Sequence, residues 1–127
     1  MYSHLAIDLG AESGRVVRSS LDAGRVRLAE VNRFPTGTVP ILGHKYWNLV
    51  RLYEEMLKAF QDRGNDGVQS VGVDSWGVDH VLLDQDDQQL GMPFAYRDAR
   101  TDGMMEKLFA RLSADKIYAT TGIQFMK

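Results

Sequence analysis

Asp8, Gly10, Ser13, Gly14 and Arg15 lie close together in AIDLGAESGRVV, residues 6–17. A carboxylate ends an apolar run, and glycines and small polar residues follow it. Glycines let backbone N–H groups turn inward, and consecutive amides make a concavity that favours anions. Ser13 adds a hydroxyl donor and Arg15 a positive charge, while Asp8 suits a Mg²⁺ ion held through water. These are the groups phosphoryl transfer needs, because its catalysis is mainly positioning and charge neutralisation. Glu12 stands against that reading unless it points outward or holds Arg15. The stretch has neither GxGxxG nor GK[ST], and taken alone it reads more simply as a hairpin loop.

VGVDSWGVDHVLLD, residues 71–84, places Asp74 and Asp79 on either side of a Ser-Trp-Gly corner. One reading is two strands meeting at a bend, with Trp76 packed and the aspartates solvated. The other is a polyol pocket, in which carboxylates meet sugar hydroxyls and an aromatic ring covers an apolar sugar face. A glycosidase pair would need a defined carboxylate separation, which the spacing does not supply. AYRDARTDG, residues 95–103, gathers Arg97, Asp98, Arg100 and Asp102 near a helix start. As an exposed ion-pair cluster it would contribute little. His4, His44 and His80 show no metal-ligand spacing.

The elements that must position these groups follow from pattern. Leu5 to Leu9, Arg15 to Ser20 and Val26 to Phe34 read as three strands, the last two joined by Asp22-Ala23-Gly24. Residues 35–45, with two prolines and two glycines, read as an irregular loop. Leu49, Tyr53, Met56, Leu57 and Phe60 form one helical stripe, with Asn48 as N-cap and Arg63-Gly64 closing the last turn. Val68 to Ser75 and Asp79 to Asp84 read as strands, DQDDQQLG as a turn, and Phe94 to Tyr96 as a short strand. Thr101 is expected to cap a second helix that buries Met105, Leu108, Phe109 and Leu112. A third helix should follow Ser113 and end at Gly122. Three strands joined tightly form a meander, and a crossover helix then lays the next strand parallel to one of them. The fold class is therefore α/β, a mixed sheet with flanking helices.

A chain of 127 residues accommodates one domain with a real core. The absence of cysteine excludes disulfides, iron–sulfur ligation and thiolate zinc sites. Fifteen Lys and Arg against seventeen Asp and Glu give no electrostatic case for a nucleic-acid or anionic-membrane partner. No apolar run approaches the roughly 20 residues of a membrane span, and the first residues do not resemble a secretion signal. A cytoplasmic location is expected.

Taken in order, AIDLGAESGRVV, VGVDSWGVDHVLLD, PFAYRDARTDG and IYATTGIQFM resemble the rhamnulokinase group of the FGGY carbohydrate kinase family. The resemblance spans nearly the whole chain. It implies a ribonuclease-H-like, actin-like ATPase fold, and transfer of the ATP γ-phosphoryl group to the C1 hydroxyl of L-rhamnulose with Mg²⁺. Carried over by residue, Ala11, Glu12, Ser13, Gly14 and Arg15 would contact the ATP phosphates and Asp8 the metal. The family tolerates an acidic residue at the place of Glu12. Gly77, and less directly Asp79 and Arg97, would contact the sugar. The family's proton-accepting aspartate and adenosine pocket lie beyond the matched stretches, so the resemblance assigns no catalytic residue here. Residues 1–127 are then expected to be the front of a first domain, inactive alone and self-associating as a dimer through uncovered surface. The alternatives are a xylulose, fuculose or glycerol kinase, or a non-catalytic nucleotide- or sugar-binding domain of the same fold.

Overall fold

The computed structural model describes residues 2–62 and 67–125. Strand β1 (Ser3–Leu9) is central in a sheet of order β3-β2-β1-β6, with β2 spanning Ser13–Asp22, β3 Arg25–Pro35 and β6 Val68–Ser75. β1 runs antiparallel to β2 and parallel to β6. Helix α1 (Leu49–Asp62) makes the crossover between β3 and β6. The meander and the parallel fourth strand agree with the sequence reading. A two-residue turn, Ala23-Gly24, joins β2 to β3 with both residues at positive φ, the geometry that matches strand twist.

The core lies between the sheet and α1. Leu5, Ile7, Val16 and Phe34 from the strands meet Leu52 and Ala59 from the helix, with Leu49, Met56 and Phe60 packed around them. Asn48 caps α1 as expected: its side-chain oxygen accepts the Arg51 N–H at 3.1 Å. The Arg63-Gly64 closure falls outside the described residues. The buried stripe is rotated from the expected one. Leu52 and Ala59 face the sheet, and Tyr53 and Leu57 are exposed. Ala59 permits close approach to the sheet, and a search for large apolar residues passes over it. Val71 and Val73, in register with Leu5 and Ile7, are exposed on the outer strand β6.

Three other expectations are corrected. Residues 35–45 are not irregular: Thr38–Ile41 (β4) and His44–Trp47 (β5) pair as a hairpin turning through Leu42-Gly43, both at positive φ. Pro40 occupies a strand of only four residues, a position that tolerates the missing donor. Asp79 to Asp84 forms no strand; one isolated bridge joins Leu83 to Gln89. There the Asp84 side chain accepts the N–H groups of Asp86 and Gln88, closing a tight turn in place of a ladder. Phe94 likewise makes an isolated bridge, with Tyr46.

The second helix, α2 (Met104–Phe109), starts at Gly103 without a side-chain cap, because Thr101 is in a preceding 3₁₀ turn (Ala99–Thr101). None of its residues is buried, and Leu108 and Leu112 are exposed. Helix α3 (Ala114–Thr121) has the expected ends: Ser113 accepts the Lys116 N–H, and Gly122 is left-handed. Among the described residues, no helix is long and apolar enough to cross a membrane.

Gly14 sits opposite Phe34 across the β2–β3 ladder. A β-carbon there would lie 2.5 Å from Phe34 Cε2, and that ring is buried in the core. Gly14→Ala should therefore cost about 1–3 kcal/mol of stability through overpacking, read as a lower urea midpoint. Combined with Phe34→Leu, the loss should fall short of the sum of the single losses. Strict additivity would contradict the clash.

Candidate functional site

Registered residues on neighbouring strands share a face. Arg33, Arg15, Asp8 and Asp74 thus form one charged row across β3, β2, β1 and β6, on the face away from the α1 core. Arg15 holds Asp8 through its Nε at 2.9 Å and Nη2 at 2.8 Å. Arg33 is paired with Glu30, and that hydrogen bond holds the Glu30 carboxyl below the usual carboxylate range. Among the described residues no group of three or more metal-ligating side chains forms a metal cluster.

The turn after β1 is fixed from two directions. Gly10 N–H donates to Ser13 O at 3.1 Å, and a β-carbon at Gly10 would lie 2.9 Å from that oxygen. Thr36, buried just after β3, donates its hydroxyl to Gly10 O at 2.6 Å and its N–H to Glu12 O at 3.1 Å. Sequence reasoning missed Thr36, because a lone threonine between proline and glycine gives no local signal. Glu12 does not hold Arg15. Its side chain is 82% exposed and reaches Arg97 Nη1 at 3.5 Å. So exposed a pair contributes little stability, but it places a cation beside the one acidic group of the turn.

Glu12 and Arg97 border a cleft of about 280 Å³, lined also by Ala11, Lys45, Thr38 and Trp47. The unforeseen hairpin supplies three of these walls. Residues 93–95 extend it: Trp47 N–H donates to Pro93 O and Ala95 N–H to Lys45 O. That pairing carries Arg97 to the cleft. Arg97 also lies over the Tyr96 ring, 5.2 Å from its centroid. A larger hollow of about 490 Å³ over Thr101–Leu108 lies on α2, apart from the turn and the Trp76 corner.

The corner after β6 is built around Asp79. Trp47 Nε1 and Trp76 Nε1 both donate to Asp79 Oδ2, at 2.6 and 2.5 Å. The two rings pack with centroids 4.5 Å apart. Of the sequence-predicted groups, Ala11, Glu12 and Arg97 therefore share the cleft, and Asp79 joins it through Trp47. Asp8 and Arg15 stand in the charged row. Gly14 faces Phe34. Ser13 and Gly77 are exposed, and Gly77 has open space where a side chain would be.

Asp98, which the sequence leaves as one member of an exposed cluster, is only 3% exposed. It accepts Lys45 N–H at 2.7 Å, Arg100 N–H at 3.0 Å and His44 Nδ1 at 3.2 Å, tying the hairpin to the segment that follows Arg97. Burial pushes the carboxyl up, but the bonds from Lys45, Arg100 and His44 outweigh it, and the carboxyl lies below its usual range. A depressed carboxyl contributes stability above its unfolded value, about 3.9, and loses it as pH falls through the folded value. Asp98→Asn should thus lower Tm at pH 7, with the gap closing in acid below about pH 4. A gap of constant size across that range would show that the charge is not what matters.

Comparison with known proteins bears on the family and the fold. The family model for the FGGY carbohydrate kinases, N-terminal domain, matches residues 3–127. A rhamnulokinase of Oceanobacillus iheyensis is 43% identical over 126 residues, covering 98% of this chain and 27% of the relative. One of Bacteroides thetaiotaomicron is 44% identical over 124 residues, covering 95% and 25%. The chain thus spans about a quarter of the length of these relatives. The crystal structure of gluconate kinase from Lactobacillus acidophilus superposes with a TM-score of 0.75 at 15% identity, covering 96% of this chain and 25% of that one. That likeness shows the sugar-kinase fold, the mixed sheet with flanking helices read from sequence. With that family model matching residues 3–127, nearly the whole chain, the chain belongs to the FGGY family of carbohydrate kinases.

Proposed function

We propose that the complete protein transfers the γ-phosphoryl group of ATP to the C1 hydroxyl of L-rhamnulose, giving L-rhamnulose 1-phosphate and ADP. The observation that carries this reading is the contact between Glu12 and Arg97 across one cleft, which joins the phosphate-type turn to the sugar-type segment. The name shared by the relatives at 43–44% identity supports L-rhamnulose over other sugars.

The cleft is slightly smaller than the usual small-molecule site, which begins near 300 Å³. That size suits a sugar or a phosphate tail. Ala11, Glu12, Ser13, Gly14 and Arg15 are assigned to the ATP phosphates, with Arg97 offsetting the charge of Glu12. Gly77, Asp79 and Arg97 are assigned to the sugar.

Mg²⁺ commonly binds through one or two carboxylates, substrate phosphates and retained waters. Asp8, half-exposed beside the turn, fits that demand without a protein cage, and Asp74 is its neighbour in register. When bound, the ion would neutralise developing phosphate charge. Arg15 orients the Asp8 carboxylate in the charged row.

The proposal extends to residues 1–127 being the front of a first kinase domain in a cytoplasmic enzyme. A coupled ADP-release assay tests it. The complete protein should turn over L-rhamnulose at least tenfold better, in kcat/KM, than xylulose, fuculose or glycerol, and a polypeptide of these 127 residues should show no turnover. Equal activity on all four substrates, or full activity of the short polypeptide, would refute it.

A further inference from the structure

An indole N–H is a donor with a single hydrogen to give, and a buried one needs an acceptor. Trp47 is 3% exposed and Trp76 half-buried, yet both spend that hydrogen on the same atom, Asp79 Oδ2. Either ring could be satisfied by a backbone carbonyl or a water, the commoner partners of side-chain donors. Convergence on one carboxylate oxygen has a different consequence. Rotation of the carboxylate would break both bonds, so its second oxygen has a fixed direction. Among the described residues Oδ1 has no protein donor.

We infer that Trp47 and Trp76 are positioning residues for the sugar: they lock Asp79 so that Oδ1 accepts a substrate hydroxyl in one orientation. This inference rests on the proposed sugar-kinase function. A carboxylate accepts and cannot donate, so the locked oxygen selects a ligand that brings a donor. A site built to bond a hydroxyl strongly rejects an analogue without it. Trp47 also lines the cleft beside Ala11, Glu12 and Arg97, and so links the sugar's carboxylate to the turn assigned to phosphate. Trp76, half-buried and tilted 41° against the Trp47 ring, adds apolar ring surface against which a sugar face can lie.

A purely structural role would satisfy two buried donors and leave substrate recognition alone, so the test must separate the two. In the complete protein, Trp76→Phe keeps the ring and removes the donor. Trp76→Phe and Asp79→Asn should each raise KM for L-rhamnulose about tenfold, with kcat and KM for ATP changed less than threefold. The double variant should be no worse than Asp79→Asn alone, because Trp76 acts through Asp79. As a second measurement, L-rhamnulose added to the unsubstituted protein should change its tryptophan fluorescence with a midpoint near KM. A KM within twofold of the unsubstituted value in Trp76→Phe, losses that multiply in the double variant, or unchanged fluorescence would overturn the inference. If the unsubstituted protein does not phosphorylate L-rhamnulose, the functional reading itself fails and this inference falls with it.

Discussion

The parallel pairing of β1 with β6 is the constraint on which the rest depends. Leu9 stands opposite Gly14 on one side and Ser75 on the other, so both strands end at the same edge of the sheet. The turn after β1 and the tryptophan corner after β6 leave the sheet there, although the strand ends, Leu9 and Ser75, are far apart in sequence. Ligands of open α/β sheets characteristically sit beyond the carboxyl ends of the strands. The same register sets Asp8 between Arg15 and Asp74 and so produces the charged row.

What the sheet brings near, side chains then hold in place. Thr36 pins the turn through the carbonyls of Gly10 and Glu12. Asp98 pins the β4–β5 hairpin to the segment carrying Arg97. Asp79 takes two indole donors from different elements. Thr36 donates to two backbone carbonyls, whereas Asp98 and Asp79 gather backbone, imidazole or indole donors; leaving such groups unpaired is costlier than pairing them is favourable. Loops can therefore be ordered by a few such anchors with little hydrophobic burial of their own.

Much of this was legible in sequence, and the parts that were not share a cause. The limits of β6, Val68–Ser75, are legible because its flanks carry turn residues and its run is β-rich. α3 announced both its ends through Ser113 and Gly122. The β4–β5 hairpin is not legible because its prolines and glycines look like loop, whereas Leu42-Gly43 is a tight turn and Pro40 lies in a four-residue strand. The buried face of α1 is hidden from a search for large apolar residues because Ala59 matters by being small. Thr36 and Trp47 carry no local signal because their roles come from partners 26 and 32 residues away. The family resemblance identified the stretches that matter, and the register explains why they belong together.

The central claim is that the turn after β1 and the tryptophan corner serve one reaction centre. A crystal structure of the complete protein with a non-hydrolysable ATP analogue, Mg²⁺ and L-rhamnulose tests it most directly. Phosphate density over residues 11–15, with the sugar between Asp79 and Arg97, is the predicted result. Phosphates bound away from that turn, or a sugar on the far side of the sheet, would contradict it.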